Sequence, residues 1–498
     1  MTKETKVEVN PRRVLSSGNS MLYGHFIEQF HRQIYGGIFD PDSPLSDEQG
    51  FRQDVLDALK NIGTPIVRWP GGCFVSNYHW EDGVGKREPF FDKAWRVEEP
   101  NLFGTDEFVA FCRLIGAEPY ICTNAGTGTA EEMSNWVEYC NLKEEGKYAK
   151  MRQENGLKEP FNVKYWSIGN ENYGNWEIGA KDQKEWARLV LESAKMMKRV
   201  DPTIELLAAS ISDLDWNINL LKEAGDFLDW ISIHGYWDRL HEVDNPSPYE
   251  TCMIHTLEIE EQILKTKHIL GSLGYLNKIK IAFDEWNLRG WHHPNVHRGD
   301  WMADDIITSR DRNDINSTYT MADAVFNACF LNTCLKHSDV IGMANFAPVI
   351  NTRGAIFTHE DGLVLRSTYY VFELYTKCMG DKIVDTWTSQ NDFFEVKHGG
   401  KTYHVPSLDV IATTREGSEN VRIAIINRHP NEKRVINIKN NIQFENGTVY
   451  SIIGSSKDAY NDIDQLDNCK TVQHTVKVNA YEAAVEVEPH SVNVLVFE

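Results

Sequence analysis

From Leu22 onward the chain repeats one unit, a short β-rich apolar run followed by a segment whose apolar residues recur at three- and four-residue steps. The runs are LYGHFIE from Leu22, PIVRWPGG from Pro65, EPYICTNAG from Glu118, VKYWSIGNE from Val163, IELLAAS from Ile204, LDWISIHGYW from Leu228, KIKIAFDEWN from Lys278 and VIGMANFAP from Val340. Between and after them lie the helical patterns FRQDVLDALKNIG, TDEFVAFCRLIG, EEMSNWVEYCNL, QKEWARLVLESAKMMKRV, MADAVFNACFLNTCLKH and YYVFELYTKCMG. Gly63 and Gly116 fall where a left-handed helix stop is expected. Eight strand–helix units predict an α/β fold, a (β/α)8 TIM barrel with a closed parallel sheet.

Past about Lys382 the period changes to two. FFEVKH, VRIAIINRH, RVINIKN and SVNVLVFE alternate and are separated by turn-rich HPNEK and ENGT, which predicts a C-terminal antiparallel β-sandwich of jelly-roll type. The opening KETKVEVNP alternates as well and is read as a strand that stops at Pro11 and joins that sandwich. The expected division is 1–18 for this strand, 19–381 for the catalytic barrel and 382–498 for the sandwich. The irregular stretch from Leu288 to Ser317 follows the seventh strand and would overhang the active face.

Composition narrows the partners. With 498 residues, 41% hydrophobic and 25% charged, the chain is an ordinary globular one that can bury a large core. The net charge of −22 opposes nucleic acid and anionic membrane surfaces. The start MTKETKVEVN lacks an apolar leader core, and no run reaches the roughly 18 apolar residues of a membrane span. Nine cysteines without CxxC pairs read as reduced thiols. The expectation is a cytoplasmic protein with no nucleic-acid or membrane partner.

If the eight strands close, their C-terminal ends bring Glu28, Arg68, Asn170, Glu171, His234, Tyr236 and Glu285 to one face. A lone glutamate after a strand is usually a solvated turn charge. Glu171 in WSIGNEN and Glu285 in IAFDEWN differ in sitting among Trp166, Trp176 and Trp286, where burial and a second carboxylate both disfavour ionisation. Two carboxylates across a sugar can cleave a glycosidic bond, one as acid and the other as nucleophile or base. Arg68 favours charge on its partner; the chemistry alone leaves open which glutamate is the acid.

PGGCFVSNYHWEDGVG, FGTDEF, GNE and DEWN, in this order and at about these spacings, resemble the α-L-arabinofuranosidases of glycoside hydrolase family 51, over barrel and sandwich alike. The resemblance implies a retaining double displacement that releases terminal α-L-arabinofuranosyl residues from arabinoside or arabinoxylan oligosaccharides. Glu171 would be the acid/base and Glu285 the nucleophile. It further implies that Glu28 grips sugar hydroxyls, Asn170 bonds the 2-hydroxyl, Tyr236 orients the nucleophile, Arg68 and His234 support them, and Trp95 lines the leaving-group side. It also implies a homo-oligomer, hexamers built from dimers, and no cofactor.

Three positions depart from the expected pattern and bear on which sugar fits. Cys73 stands where an amide is expected, Ser367 where a longer Gln is expected, and Arg289 where a Trp often follows DEWN. Losing two hydrogen-bond partners in one pocket would cost about 10²-fold for a substrate that needs both. Another pentoside, a β-D-xyloside above all, or a β-glucan is therefore an alternative substrate, and an inactive carbohydrate-binding barrel is the alternative outside catalysis. His292, His293 and His297 match no metal-ligand spacing, so no metal is expected. NAGTGTAEE lacks the full glycine pattern and the lysine of a phosphate loop.

Overall fold

A computed structural model describes residues 3–239, 246–290, 314–389, 392–418 and 420–498. Its centre is a closed parallel barrel of eight strands, Gly24–Phe26, Ile66–Trp69, Glu118–Thr123, Tyr165–Ile168, Glu205–Ala209, Trp230–Arg239, Lys280–Gly290 and Ile341–Phe346, each hydrogen-bonded to its neighbour in chain order. These are the eight apolar runs of the sequence. Gln53–Asn61, Thr105–Ile115, Ala130–Asn141 and Gln183–Val200 are among the helices outside it. Gly63 and Gly116 adopt positive φ, 61° and 75°, and Gly116 caps its helix.

Alternation along the strands builds the barrel interior in layers. Ile66, Tyr120, Tyr165, Leu207, Trp230, Ala282 and Met343 form one apolar floor from seven strands. Two residues further along, the same strands carry Arg68, Cys122, Ser167, Ser232, Asp284 and Asn345, all buried. The polar chemistry thus begins one layer above this floor, toward the C-terminal strand ends.

The C-terminal region is a ten-stranded sheet that includes the N-terminal strand Lys3–Ser17. That strand pairs antiparallel with Lys382–Thr388 and parallel with Arg434–Asn440, so the sheet is mixed rather than purely antiparallel. It does not stop at Pro11: it runs on to Ser17 across a register shift between Asn10 and Val14. A bulge accommodates a residue that has no N–H to give the ladder.

Strand Val421–Asn427 is buried along its whole length because both of its faces are covered. Val421, Ile423 and Ile425 join Val7, Ile436, Val449, Leu495 and Phe497 in the core of the folded sheet. Ala424 and Ile426 instead join the barrel's core. Between them lies helix Met321–Lys336, of which every residue except Thr333 and Lys336 is buried. It packs on the barrel on one side and the sheet on the other, so it is buried all round rather than along one stripe.

Candidate active site

Adjacent residues of a strand point to opposite faces, so Asp284 and Glu285 should not share one. The seventh strand breaks its register with the sixth between Ala282 and Glu285, and with the eighth between Phe283 and Trp286. This irregularity lets Asp284 lie in the polar layer while Glu285 reaches the mouth, a use to which bulges beside active sites are often put. Across the mouth, Glu171 follows the fourth strand with φ 45°. A glutamate in the left-handed region carries roughly 1–3 kcal/mol of backbone strain. The turn holding it is fixed by Asn172 Oδ1, which accepts from the Asn170 amide at 3.1 Å, and by Gly174 N–H to the Glu171 carbonyl at 2.7 Å.

Glu285 accepts from Tyr236 Oη at 2.6 Å on one oxygen and from Arg68 Nη1 at 2.7 Å on the other. Arg68 also donates to Asn170 Oδ1 at 2.7 Å and lies 3.3 Å from Asp284 through Nε. Glu171 accepts from the Trp176 indole at 2.7 Å, and its other oxygen lies 2.8 Å from His234 Nδ1. Tyr120 and Ser232 hydroxyls donate to the two oxygens of Asp284, each at 2.6 Å. One oxygen of Glu171, one of Glu285 and a ring nitrogen of His234 all lie within 4.8 Å of one another.

Charge in this buried cluster is specified by its neighbours. Burial works against ionisation of Asp284, but Arg68 and His234 outweigh it and hold the carboxyl down at about 2. Burial likewise disfavours the His234 cation, yet Glu285, Asp284 and Glu171 together lift it to about 10. Two cations, Arg68 and His234, thus face three carboxyl groups, those of Asp284, Glu171 and Glu285. Glu171, His234 and Glu285 are also the described side chains that could bracket a metal ion; the imidazolium proton and the adjacent guanidinium oppose that use.

A second set lies beside the first. Glu28 accepts from the Phe74 amide at 3.0 Å and the Trp95 indole at 2.9 Å. Burial above all, and the charge of Glu285, push it up to about 8. The PGG string exists for this carboxyl: a Cβ at Gly72 would come within 2.6 Å of it, and one at Gly71 within 2.7 Å of its Cγ. Cys73 is buried, its thiol pushed far up by burial and bonded to Glu177. Glu177 in turn accepts from Ser76 Oγ at 2.7 Å and Asn170 Nδ2 at 2.9 Å.

Nine of the ten residues singled out from the sequence thus lie in these two linked networks. Ser367 does not. It opens helix Ser367–Cys378, after the hairpin of Ile356–His359 and Gly362–Leu365, and its hydroxyl is donated to the Thr320 carbonyl at 2.6 Å. Trp95 is only 5% exposed and tilts against Phe30, so it holds Glu28. The indole beside Glu171 is that of Trp176, which is 43% exposed. Arg289 is buried in ion pairs with Asp238 and, through two 2.9 Å bonds, with Asp323.

His292, His293, His297 and most of the stretch after the seventh strand lie outside the described residues. Asp284, Ser232, Tyr120 and Glu177 were not found from the sequence. Asp284 and Ser232 had a signal, since each sits two residues from an inward apolar position of its strand.

Comparison with known proteins gives a consistent result. Residues 58–252 match the family described as "Alpha-L-arabinofuranosidase 1 domain", and residues 284–491 match "Alpha-L-arabinofuranosidase C-terminal domain". The chain is 34% identical over 482 residues to a probable α-L-arabinofuranosidase C of Aspergillus niger, covering 91% of this chain and 90% of the relative. It is 33% identical over 454 residues, 87% of each, to an intracellular exo-α-(1→5)-L-arabinofuranosidase of Acetivibrio thermocellus. The arabinose complex of the Thermotoga maritima α-L-arabinofuranosidase superposes with a TM-score of 0.89 at 36% identity over 99% of both chains. A family 51 α-L-arabinofuranosidase of Bifidobacterium longum superposes at 0.88, with 26% identity and full coverage of both chains. Likeness that runs the length of barrel and sheet at this identity leaves one assignment: the chain belongs to the α-L-arabinofuranosidases of glycoside hydrolase family 51.

Proposed function

We propose that this protein releases terminal α-L-arabinofuranosyl residues from arabinose-containing oligosaccharides with retention of configuration. The observation that carries the mechanism is the approach of the Glu171 and Glu285 carboxylates to within 4.8 Å. Carboxyl groups about 5 Å apart suit direct attack, whereas inversion needs roughly 6.5–9.5 Å to fit a water. Glu285, held by Tyr236 and Arg68, forms a bond to the anomeric carbon as the glycosidic bond breaks, and Glu171 gives its proton to the leaving oxygen. Esterification removes the Glu285 charge, so the two cations then favour the ionised form of Glu171. That carboxylate takes a proton from water, whose oxygen attacks the anomeric carbon and frees Glu285.

Glu28, Cys73 and Asn170 form the sugar-facing side in this reading, with Asn170 on the 2-hydroxyl. The names of the relatives support a furanoside over the β-D-xyloside alternative. The family and the name of the Acetivibrio relative support a cytoplasmic, oligomeric enzyme, and light scattering on the purified protein would test for a hexamer.

A panel of 4-nitrophenyl α-L-arabinofuranoside, β-D-xyloside and β-D-galactofuranoside should show the highest kcat/KM for the first. With Glu285→Gly, azide should restore turnover and yield the glycosyl azide of opposite configuration. Glu171→Ala should lose far more activity on an oligosaccharide than on the nitrophenyl glycoside, whose leaving group needs no proton. Preference for the xyloside, or an azide product of unchanged configuration, would refute the reading.

A further inference from the structure

Two consecutive turns carry the chain from Glu171 back beneath its own strand end: Gly174 N–H bonds the Glu171 carbonyl at 2.7 Å and Glu177 N–H the Gly174 carbonyl at 3.1 Å. They bring the Glu177 side chain, 5% exposed, under Asn170. The amide of Asn170 is then held at both ends. Arg68 can only donate, so the atom 2.7 Å from its Nη2 must be Oδ1. The Nδ2 end consequently faces Glu177 at 2.9 Å, spends one hydrogen there and keeps the second for a ligand. The same carboxyl accepts from Ser76 at 2.7 Å and bonds the Cys73 thiol, which arrives from the loop after the second strand. One buried side chain therefore ties together polar groups from two strand ends.

We infer that Glu177 is a positioning residue, which sets the orientation of the Asn170 amide and the Cys73 thiol toward the sugar without touching the sugar itself. This rests on the reading that Asn170 binds the 2-hydroxyl. Reach matters more than charge in such a role. Burial lifts Glu177 to about 8, so that near neutral pH it resembles an amide more than a carboxylate. In Glu177→Gln, the side-chain oxygen can still accept from Asn170 while its NH2 donates to the Ser76 hydroxyl, which accepts as readily as it donates. Glu177→Asp keeps the carboxyl but draws it back by one methylene, out of reach of Asn170 and Ser76 together. A misplacement of about 1 Å in such a contact costs about 10²-fold in rate.

The test is steady-state kinetics on 4-nitrophenyl α-L-arabinofuranoside for the two Glu177 variants, Asn170→Ala and the double variant Asn170→Ala/Glu177→Asp, with Tm measured for each. Glu177→Asp should lower kcat/KM about 100-fold and Glu177→Gln less than about tenfold. In the Asn170→Ala background the aspartate change should cost clearly less than in the native protein, because one of the two groups it positions is gone. The opposite order, with Asp active and Gln impaired, would make charge the working property and overturn the inference. Multiplicative losses in the double variant, or losses that track Tm, would reduce Glu177 to a structural residue and overturn it as well. If Asn170→Ala is itself as active as the native enzyme, the underlying reading of Asn170 fails first, which separates the two failures.

Discussion

Asp284 shows how a single side chain makes the site possible. Fully buried, it accepts from Tyr120 and Ser232 and faces both cations of the cluster. Its carboxyl is held at about 2 against an ordinary 3.8, so the stability it supplies is present in full above 3.8 and is lost as pH falls through 2. The Tm difference between the native protein and Asp284→Asn is thus expected to be widest at neutral pH and to close as the pH approaches 2, in thermal unfolding recorded across that range. His234 acts in the opposite sense. Lifted to about 10 from 6.5, its contribution is full below 6.5 and disappears as pH rises to about 10. The two share the same charges, so their effects are one linked term rather than two additive ones.

Among the elements, the seventh strand does the most. Its register breaks place Glu285 at the mouth, and its extension to Gly290 carries Arg289 into a junction with Asp238 of the sixth strand and Asp323 of helix Met321–Lys336. A cation shared by two buried carboxylates contributes modestly while intact, but removing it strands two charges. Arg289→Met is expected to cost about 3–5 kcal/mol in denaturant unfolding, with a smaller effect on KM than on stability. The seventh strand was legible in the sequence as an apolar run, but Glu285 does not end it, since the strand runs on to Gly290. The bulge was not legible, because it arises from pairing with two neighbours that sequence periodicity does not register.

At the scale of the molecule, barrel and sheet share a core. Ile411, Ala424, Ile426, Ile452, Val492 and Val494 turn toward the barrel's helices while their strand neighbours fill the sheet's own interior. The N-terminal strand lies between Lys382–Thr388 and Arg434–Asn440 and buries Val7 and Val9, so it joins six strands on one side of the ten-stranded order to three on the other. Deleting residues 3–17 is expected to abolish soluble expression rather than merely lower Tm, since it exposes two strand edges and an apolar face at once. Recovery of a soluble, active deletion variant would contradict this. The sequence alone determined the eight-strand barrel, the change to a sheet past Lys382 and seven of the residues in the site networks, because hydrophobic period and strand order are local properties that folding preserves; Cys73 and Trp95 came only through the family resemblance. Only the tertiary structure decided that Ser367 is tied to Thr320, that Arg289 is consumed in ion pairs, and that Asp284 and Glu177 hold the site together. Each of these depends on which distant partner a buried polar group finds, and the low-dielectric interior makes that pairing obligatory without writing it into any neighbouring stretch of chain.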